Sequence, residues 1–207
     1  HEKGFKDLTH LTPGMFGYSL LRASQNQPYF TALMDELLAF DIPVEGIHTE
    51  TGPGVFEAAI IYSDPLEAAD RAVLFKAAAK EIGARFGIMP TFMAKIDTSL
   101  PGCGGHIHQS LWDRSLDKNV FYDESDSRKM STTFKQYLAG QMKLAPELTA
   151  CFAPTINSYK RLVEGMWAPT KVTWGADNRN ASFRVIPGYS KSRRFANSVP
   201  GADANPY

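Results

Sequence analysis

The stretch Gly102-Cys-Gly-Gly-His106-Ile-His108-Gln-Ser110-Leu-Trp112 places polar side chains where a buried strand would carry apolar ones. On a strand the residues at 106, 108 and 110 point to the same face, so two imidazoles and a hydroxyl line one surface. The preceding glycines let a ligand approach the backbone closely. The pattern predicts a strand over 105–112 that carries part of a site. Ordinary structural histidines remain an alternative, and two imidazoles suit zinc as well as other metals.

A second cluster lies upstream, in His48-Thr-Glu50-Thr-Gly-Pro-Gly-Val-Phe-Glu57. The Gly-Pro-Gly turn can bring Glu50 and Glu57 back to one point, and Glu57 opens an otherwise apolar strand. Carboxylate oxygens suit a hard divalent ion such as Mg²⁺ or Mn²⁺. A turn flanked by surface acids would give the same pattern.

A third cluster consists of basic residues in the last quarter of the chain, where guanidinium groups can clamp phosphate or carboxylate oxygens in pairs of hydrogen bonds. An ordinary solvated basic surface is the alternative. Its members are Arg161, Arg179, Arg184, Lys191, Arg193 and Arg194. Together the three clusters indicate metal-assisted phosphoryl transfer, and the sequence contains no Gly-x-x-x-x-Gly-Lys-Ser/Thr loop.

Hydrophobic spacing predicts three helices. The first covers 28–40, and the third covers 128–144 and ends before Pro146. The second begins at Pro65, with Asp64 as N-cap and Glu67 completing a capping box, and stops at Gly87. Predicted strands cover 55–62, 89–95, 105–112, 172–175 and 181–186, and a polar loop covers 113–129 with an extended piece at 119–122. Strands interspersed with helices and long loops indicate an α+β sheet with helices packed on one side.

Composition excludes several classes of partner. The 207 residues hold 22 Lys+Arg and 22 Asp+Glu, so the chain lacks the basic excess of a nucleic-acid binder. No apolar stretch approaches the roughly 20 residues of a membrane span. Two cysteines, Cys103 and Cys151, suit a reducing compartment, so we expect a cytoplasmic protein. The zero net charge divides unevenly, because residues 151–207 hold 8 basic and 3 acidic residues while residues 1–150 hold 14 and 19.

Four motifs in chain order closely resemble the catalytic domain of the glutamine synthetase family. The resemblance implies a curved antiparallel sheet backed by helices, with an active-site funnel between subunits of a ring-shaped homo-oligomer, expected as two stacked rings. It also implies that ATP phosphorylates the γ-carboxylate of glutamate and that ammonia or an amine displaces the phosphate. The motifs are Gly105-His-Ile-His-Gln-Ser-Leu-Trp112, Pro154-Thr-Ile-Asn-Ser-Tyr-Lys-Arg161, Asn178-Arg-Asn-Ala-Ser-Phe-Arg184 and Gly201-Ala-Asp-Ala-Asn-Pro-Tyr207.

Individual residues match the family's functional positions. Glu50 and Glu57 match two ligands of one metal ion, and His106 matches a ligand of the second. His108 and Ser110 fall where the family contacts ATP.

The basic residues match the positions that hold anions in the family. Arg161 matches the arginine that binds the substrate's α-carboxylate, and Arg179 and Arg184 match those that face the transferring phosphate. Lys191 and Arg194 match basic positions on the nucleotide side. Metal ions and arginines would offset the repulsion between two anions as phosphate moves onto a carboxylate.

The chain departs from the family pattern at several positions. Trp167 precedes Ala-Pro where ammonia-using members carry a glutamate, which points to an organic amine acceptor or to none. Ala196 stands at the position of a metal-ligating glutamate, and Ser198 at that of an arginine for the γ-carboxylate. Pro101-Gly102 replaces the usual Asn-Gly beside the substrate amino group, so Gly102 is the expected backbone contact there.

These observations lead to one leading hypothesis and two alternatives. The leading one is part of an ATP-dependent glutamate–amine ligase. Residues 1–207 would be a single partial catalytic domain, without the family's N-terminal β domain and C-terminal helices. One alternative is a catalytically impaired relative with a structural or binding role in a ring-shaped assembly. The other is a metal-binding α+β domain with unrelated chemistry.

Overall fold

The computed structural model describes residues 6–207, whose contacts divide them between two units. Unit 1 extends to Phe92 and includes Pro206–Tyr207, and unit 2 comprises Met93–Asn205. Helices and strands occur in both, so the predicted α+β class is confirmed. Between residues 6 and 207 no helix is both long and apolar enough to cross a membrane.

Unit 1 combines three helices with a two-stranded antiparallel hairpin. Helix α2 and helix α3 pack together through an apolar core whose buried members are Tyr29, Leu33, Leu37, Ile42, Ala79 and Ile82. The predicted helix over 28–40 and strand over 55–62 are confirmed with small shifts, whereas α1 and β1 were not predicted. The elements are α1 (Leu20–Gln25), α2 (Gln27–Ala39), β1 (Val44–Thr49), β2 (Phe56–Ile60) and α3 (Pro65–Arg85).

The start of α3 differs from its prediction in one detail. Pro65 occupies the first turn and Asp64 is the N-cap residue, as predicted. The Asp64 side chain accepts no capping hydrogen bond, and Glu67 instead accepts one from Arg71 Nε at 3.0 Å. The predicted capping box is therefore wrong, because an arginine one turn later offers Glu67 a charged partner.

The end of α3 follows the prediction. Gly87 has a positive φ of 68°, a conformation that glycine adopts without steric cost. Its N–H bonds to the carbonyl of Ala84, and the N–H of Ile88 bonds to that of Gly83 at 2.9 Å. This pair of bonds is the Schellman arrangement, which satisfies carbonyls that the helix end leaves open. Gly87 is thus confirmed as the stop residue.

Unit 2 is built on a four-stranded sheet with the strand order β3, β8, β7, β6. Neighbouring strands are antiparallel except β6 and β7, which run parallel and so differ from the antiparallel pairing that the resemblance implies. The elements are β3 (Ile107–Gln109), β4 (Trp112–Asp113), β5 (Lys118–Asn119), α4 (Thr132–Phe152), α5 (Ile156–Arg161), β6 (Trp174–Ala176), β7 (Phe183–Ile186) and β8 (Arg194–Asn197). β4 and β5 form a separate short hairpin.

The core of unit 2 joins helix α4 to the central strands. Phe134 of α4 stacks on Phe121 with ring centroids 4.4 Å apart, and both rings are fully buried. Phe183 of β7 and Phe195 of β8 complete this aromatic layer beneath the sheet. Burial of such rings contributes strongly to stability. The aromatic layer therefore holds β7 and β8 in place, and both strands carry residues of the candidate site.

Two strand predictions need correction. No strand forms at 89–95, because Pro90 has no N–H and the following backbone bonds to a side chain instead. Asn157 accepts from the N–H of Lys95 at 3.0 Å and donates to its carbonyl at 2.7 Å. The predicted strand over 105–112 breaks into β3 and β4, so Ser110 lies outside the ladder.

The predicted boundaries of the third helix were also wrong. Helix α4 begins after Ser131, whose Oγ accepts from the N–H of Phe134 at 3.0 Å. It continues through Pro146 to Phe152, although proline removes one helical hydrogen bond. Ala145 is buried in the core, and the hydroxyl of Thr149 donates to its carbonyl at 2.8 Å. Burial of Ala145 before the proline and the Thr149 hydrogen bond after it therefore outweigh the local preference.

Two helical glycines give opposite predictions for stability. A Cβ at Gly83 would lie 2.7 Å from Cδ of the Pro90 ring, whereas nothing lies within 4 Å of one at Gly140. We expect Gly83→Ala to lower the free energy of unfolding by about 1–3 kcal/mol. Gly140→Ala should raise it by about 0.5–1 kcal/mol, because alanine loses less backbone entropy. Urea unfolding of the two variants provides the test, and a stabilised Gly83→Ala variant would contradict the packing of α3 against the 88–90 segment.

Candidate active site

In unit 1 the hairpin of β1 and β2 gathers three possible metal ligands. His48 pairs across the hairpin with Glu57, and Glu50 follows β1 directly. His48 Nδ1 lies 3.7 Å from Glu50 Oε1, and His48 Nε2 lies 4.0 Å from Glu57 Oε1. One ligand atom from each residue falls within 4.8 Å of the others. The structure thus brings together the two predicted carboxylates and adds an imidazole.

The geometry of this cluster fits a divalent cation. Two ligands held about 2.1 Å from one ion lie up to about 4.2 Å apart, so small side-chain adjustments would close the observed separations. Carboxylates with one imidazole suit Mg²⁺, Mn²⁺ or a softer ion such as zinc. The sequence analysis predicted Mg²⁺ or Mn²⁺ for Glu50 and Glu57, and this ligand set is compatible with either ion. Both carboxylates are partly or well exposed to solvent, so an ion could enter freely.

Sequence reasoning did not assign His48 a role, although a usable pattern was present. Residues 48 and 50 are two apart, which places their side chains on one face where β1 ends. The ring of Tyr18 stacks on His48 at a centroid distance of 4.9 Å, and the Tyr18 N–H donates to the carbonyl of Thr49 at 2.8 Å. This packing orients the imidazole beside the two carboxylates.

Metal binding gives a direct prediction for unit 1. Glu50→Gln and Glu57→Gln each remove a charged ligand, so each should weaken one Mn²⁺ site by about tenfold or more. His48→Ala should weaken the same site. Glu45→Gln is the matched control, because Glu45 is an exposed acid on the same strand. Calorimetric titration with Mn²⁺ checks this, and an undiminished site in the Glu50→Gln, Glu57→Gln double variant would exclude these residues as ligands.

In unit 2 strand register places three residues side by side across the sheet. Ala196 of β8 pairs with His108 of β3 on one side and with Arg184 of β7 on the other. Residues directly opposite in neighbouring strands present their side chains to the same face. We call the row of His108, Ala196 and Arg184 the cationic row. Arg194 joins it, because its Nε donates to His108 Nδ1 at 3.1 Å.

His108 in the cationic row and the neighbouring His106 are both neutral near pH 7. The Arg194 hydrogen bond needs an unprotonated Nδ1, so the His108 proton lies on Nε2. Desolvation, followed by the charges of Arg194 and Arg184, lowers the pKa of His108. Desolvation, with Arg161 as the next cause, lowers the pKa of His106 to about 4. Both rings keep contact with solvent. Crowding by protein atoms and neighbouring positive charge therefore act together to lower the pKa of each histidine.

This surface therefore favours an anion. Two guanidinium groups, those of Arg184 and Arg194, lie on it beside the neutral imidazoles of His106 and His108. Guanidinium groups match the geometry of phosphate and carboxylate oxygens and stay charged at all ordinary pH values. The arrangement can hold a polyphosphate and stabilise negative charge that moves between its oxygens.

Arg161 is buried, and its guanidinium is bound to the backbone in this structure. Only 3% of its surface is exposed, and its Nη1 and Nη2 donate to the carbonyls of Val199 and Ser198 at 2.9 and 3.0 Å. Burial lowers the pKa of its guanidinium, while Cys103 and Asp203 act in the opposite direction. In this structure Arg161 holds the backbone after β8, and its contact with a substrate carboxylate stays a prediction.

The glycines of the 102–105 segment make this packing possible. A Cβ at Gly102 would lie 2.5 Å from the carbonyl oxygen of Ala94 and 2.7 Å from Arg161 Cγ. A Cβ at Gly104 would lie 2.9 Å from His106 Nε2 and 3.0 Å from Arg161 Nη2. The glycines were predicted to admit a ligand, and the structure shows that they admit Arg161 itself. A substrate contact at Gly102 remains a prediction.

Three other predicted site residues lie outside the cationic row. Ser110 Oγ accepts a hydrogen bond from Trp112 Nε1 at 3.1 Å. Arg179 lies in the exposed turn after β6. Lys191 lies on an exposed segment, 4.0 Å from Asp117 Oδ2. The contacts of these residues with a nucleotide or phosphate stay predictions.

The structure shows the surroundings of three positions that depart from the family pattern, Ala196, Ser198 and Trp167. Ala196 is buried at the centre of the cationic row, where it adds no ligand atom. Ser198 is held by its backbone, which donates to Ser182 O at 2.8 Å and accepts from Arg161. Trp167 is 65% exposed and has a positive φ of 57°, which is uncommon for a large side chain.

Comparison with known proteins identifies the family. Residues 8–207 match the family model described as glutamine synthetase, catalytic domain. The chain belongs to the glutamine synthetase family. This confirms the resemblance carried by the four sequence motifs.

Individual relatives agree with this assignment. The chain is 56% identical over 205 residues to type-1 glutamine synthetase 2 of Dictyostelium discoideum, covering 99% of this chain and 39% of that protein. It is 38% identical over 190 residues to a glutamate–isopropylamine ligase of a Pseudomonas species, covering 92% and 41%. Both relatives are named as synthetases or ligases, which gives the non-catalytic alternative no support.

A solved structure supports the fold as well. The ADP complex of a protein named GmaS superposes with a TM-score of 0.86 at 30% identity, covering 97% of this chain and 47% of that one. The chain therefore spans less than half the length of each of these three relatives.

Proposed function

We propose that the protein acts as an ATP-dependent carbon–nitrogen ligase that joins ammonia or an amine to the γ-carboxylate of glutamate. The observation that carries this proposal is the cationic row of unit 2, where Arg184, Arg194 and two neutral imidazoles converge. The three-donor cluster of unit 1 supports it, since ATP is used as a complex with a divalent ion. Membership of the glutamine synthetase family supports it too.

The proposed reaction has two steps. A γ-carboxylate oxygen of glutamate forms a bond to the γ-phosphorus of ATP, and the bond from that phosphorus to the bridging oxygen breaks to release ADP. The amine nitrogen then bonds to the acyl carbon of γ-glutamyl phosphate, the carbon–oxygen bond breaks, and phosphate leaves. The amine loses one proton to solvent or to a base. Neither step needs an oxidant or a reductant.

The predicted basic, hydroxyl and metal-binding side chains each have a role in this scheme. Arg179 and Arg184 offset the charge on the transferring phosphoryl group, and Arg161 would fix the α-carboxylate of glutamate. The nucleotide would contact His108, Ser110, Lys191 and Arg194. Glu50 and Glu57 with His48 would hold one Mg²⁺ or Mn²⁺ ion and His106 would hold a second, and such ions would supply neutralisation of phosphate charge.

We also propose that the acceptor is an organic amine, and this part of the proposal rests on Trp167. This indole is exposed, so its face is available to an alkylammonium group, which aromatic rings attract electrostatically. A glutamate at the same position would instead favour the small ammonium ion. A relative named as a glutamate–isopropylamine ligase is 38% identical to this chain, which supports an organic amine as acceptor.

We further propose that the protein assembles into a ring-shaped homo-oligomer of two stacked rings. Large apolar side chains are exposed on both units, including Leu20, Tyr62, Ile156 and Tyr189. Where such side chains form contiguous patches, they mark surfaces that meet another protein. We expect no membrane and no nucleic acid among the partners, and a cytoplasmic location.

An acceptor panel tests the proposed activity. Protein expressed from its complete reading frame is incubated with ATP, glutamate, and Mg²⁺ or Mn²⁺, together with ammonia, methylamine, isopropylamine or ethanolamine. We expect phosphate release that depends on glutamate and acceptor, with the matching γ-glutamyl amide detected by mass spectrometry. Absence of every amide product with both metal ions would refute the proposal.

The role of Trp167 gives a separate prediction. Trp167→Glu should raise the ratio of kcat/KM for ammonia to kcat/KM for the best amine by about tenfold or more, because a carboxylate replaces an aromatic face. Trp167→Phe is the matched control, since it keeps an aromatic ring and should retain the preference for the amine. An unchanged ratio in Trp167→Glu would show that this residue does not select the acceptor.

A further inference from the structure

Asp177 follows strand β6 in a conformation that few side chains favour. Its φ is +50°, in the left-handed region, where aspartate and asparagine are tolerated better than most residues. Its N–H donates to the carbonyl of Val185 at 2.9 Å, which fixes the turn beside β7. The backbone therefore sets this carboxylate beside the residue that precedes Val185.

That residue is Arg184, and Asp177 holds one edge of its guanidinium. Arg184 Nε donates to Asp177 Oδ1 at 3.0 Å, and Nη2 donates to the same oxygen. The pair is partly solvent-exposed, with 57% of the Asp177 side chain accessible. Exposed ion pairs contribute little to stability, so overall folding gives no strong reason for this arrangement.

The pairing does determine which guanidinium hydrogens remain for a ligand. A guanidinium carries five N–H donors in a rigid plane, and Asp177 accepts two of them. The plane of Arg184 is thereby fixed, and three donors remain for a second anion. Arg184 is flanked in the sheet by Gly175 and Ala196, so its β-sheet neighbours have small side chains.

We propose that Asp177 is a positioning residue that orients Arg184 for contact with the phosphates of the bound nucleotide. This rests on the proposed function for the identity of the phosphate donor, and on the Asp177–Arg184 geometry for the role. Fixing the guanidinium before the ligand arrives reduces the entropy lost on binding, as pre-organised charge does in general. Asp177 acts through Arg184 and does not itself contact the substrate.

Two substitutions separate the side chain from the backbone. Asp177→Gly keeps the left-handed conformation and removes the carboxylate, whereas Asp177→Asn keeps a carbonyl oxygen that can accept from Arg184. Asp41→Gly is the matched control, because Asp41 is another exposed aspartate with a positive φ, of 60°. Combining Asp177→Gly with Arg184→Ala closes a double-mutant cycle.

Binding of inorganic tripolyphosphate is measured by calorimetry in protein from the complete reading frame. We expect Asp177→Gly to weaken binding about tenfold, Asp177→Asn to recover most of that loss, and Asp41→Gly to have no effect. With Arg184→Ala already present, Asp177→Gly should cause no further loss. An equal loss in that background would indicate a general structural role and overturn the proposal. Tighter binding by Asp177→Gly would overturn it too, because Asp177 would then compete with phosphate.

Kinetics supply a second readout that tests the two proposals separately. In an active enzyme Asp177→Gly should lower kcat more than it raises KM for glutamate, because Arg184 acts on the transferring phosphate. If the wild-type protein forms no γ-glutamyl amide, the proposed function fails while the tripolyphosphate measurement still decides the role of Asp177. If the wild-type protein forms amides and Asp177→Gly changes neither tripolyphosphate binding nor kcat, the Asp177 proposal alone fails.

Discussion

Arg161 donates hydrogen bonds to the backbone of Ser198 and Val199 from a position that solvent barely reaches. A buried guanidinium is costly unless its donors are satisfied, so the backbone after β8 must stay where its carbonyls meet the charge. The glycines at 102 and 104 must also stay free of side chains, because Arg161 fills the space beside them. One buried charge thus fixes the end of β8 and the segment that leads into β3.

The cationic row depends on that constraint. Strand β8 lies between β3 and β7, so its register sets Arg184 and His108 on either side of Ala196 and brings Arg194 to His108. Ala196, at the centre of the row, adds no acidic group beside Arg184 and Arg194. Asp177 meets Arg184 from β6, at the other side of the row. The sheet therefore builds an anion site from backbone pairing, and the proposed ligase chemistry uses it.

Local patterns in the sequence predicted some elements well and could not predict others. Helices α2 and α3 and strands β2 and β7 carry regular apolar spacing, and the prediction found them. Strand β8, Arg-Phe-Ala-Asn, has no such alternation, because its place depends on pairing with two distant strands and on Arg161. Helix α4 passed Pro146 because packing around Ala145 outweighs a missing hydrogen bond.

The candidate site shows the same division. Glu50 and Glu57 could be predicted because a Gly-Pro-Gly turn separates them. The place of His48 opposite Glu57 depends on hairpin register, although the spacing of residues 48 and 50 gave a hint. The pairing of Asp177 with Arg184 depends on the parallel register of β6 and β7, which local spacing does not specify. Sequence thus indicated the chemistry of the residues, while tertiary pairing decided which of them meet.

Isotope transfer tests the central claim, that glutamate is activated as an acyl phosphate, most directly. Glutamate labelled with ¹⁸O in its γ-carboxylate is turned over with ATP and the preferred acceptor, and the released phosphate is analysed by mass spectrometry. The account predicts one ¹⁸O atom in each phosphate released, because a carboxylate oxygen becomes the bridge to phosphorus. Phosphate without ¹⁸O, formed together with a γ-glutamyl amide, would contradict the account.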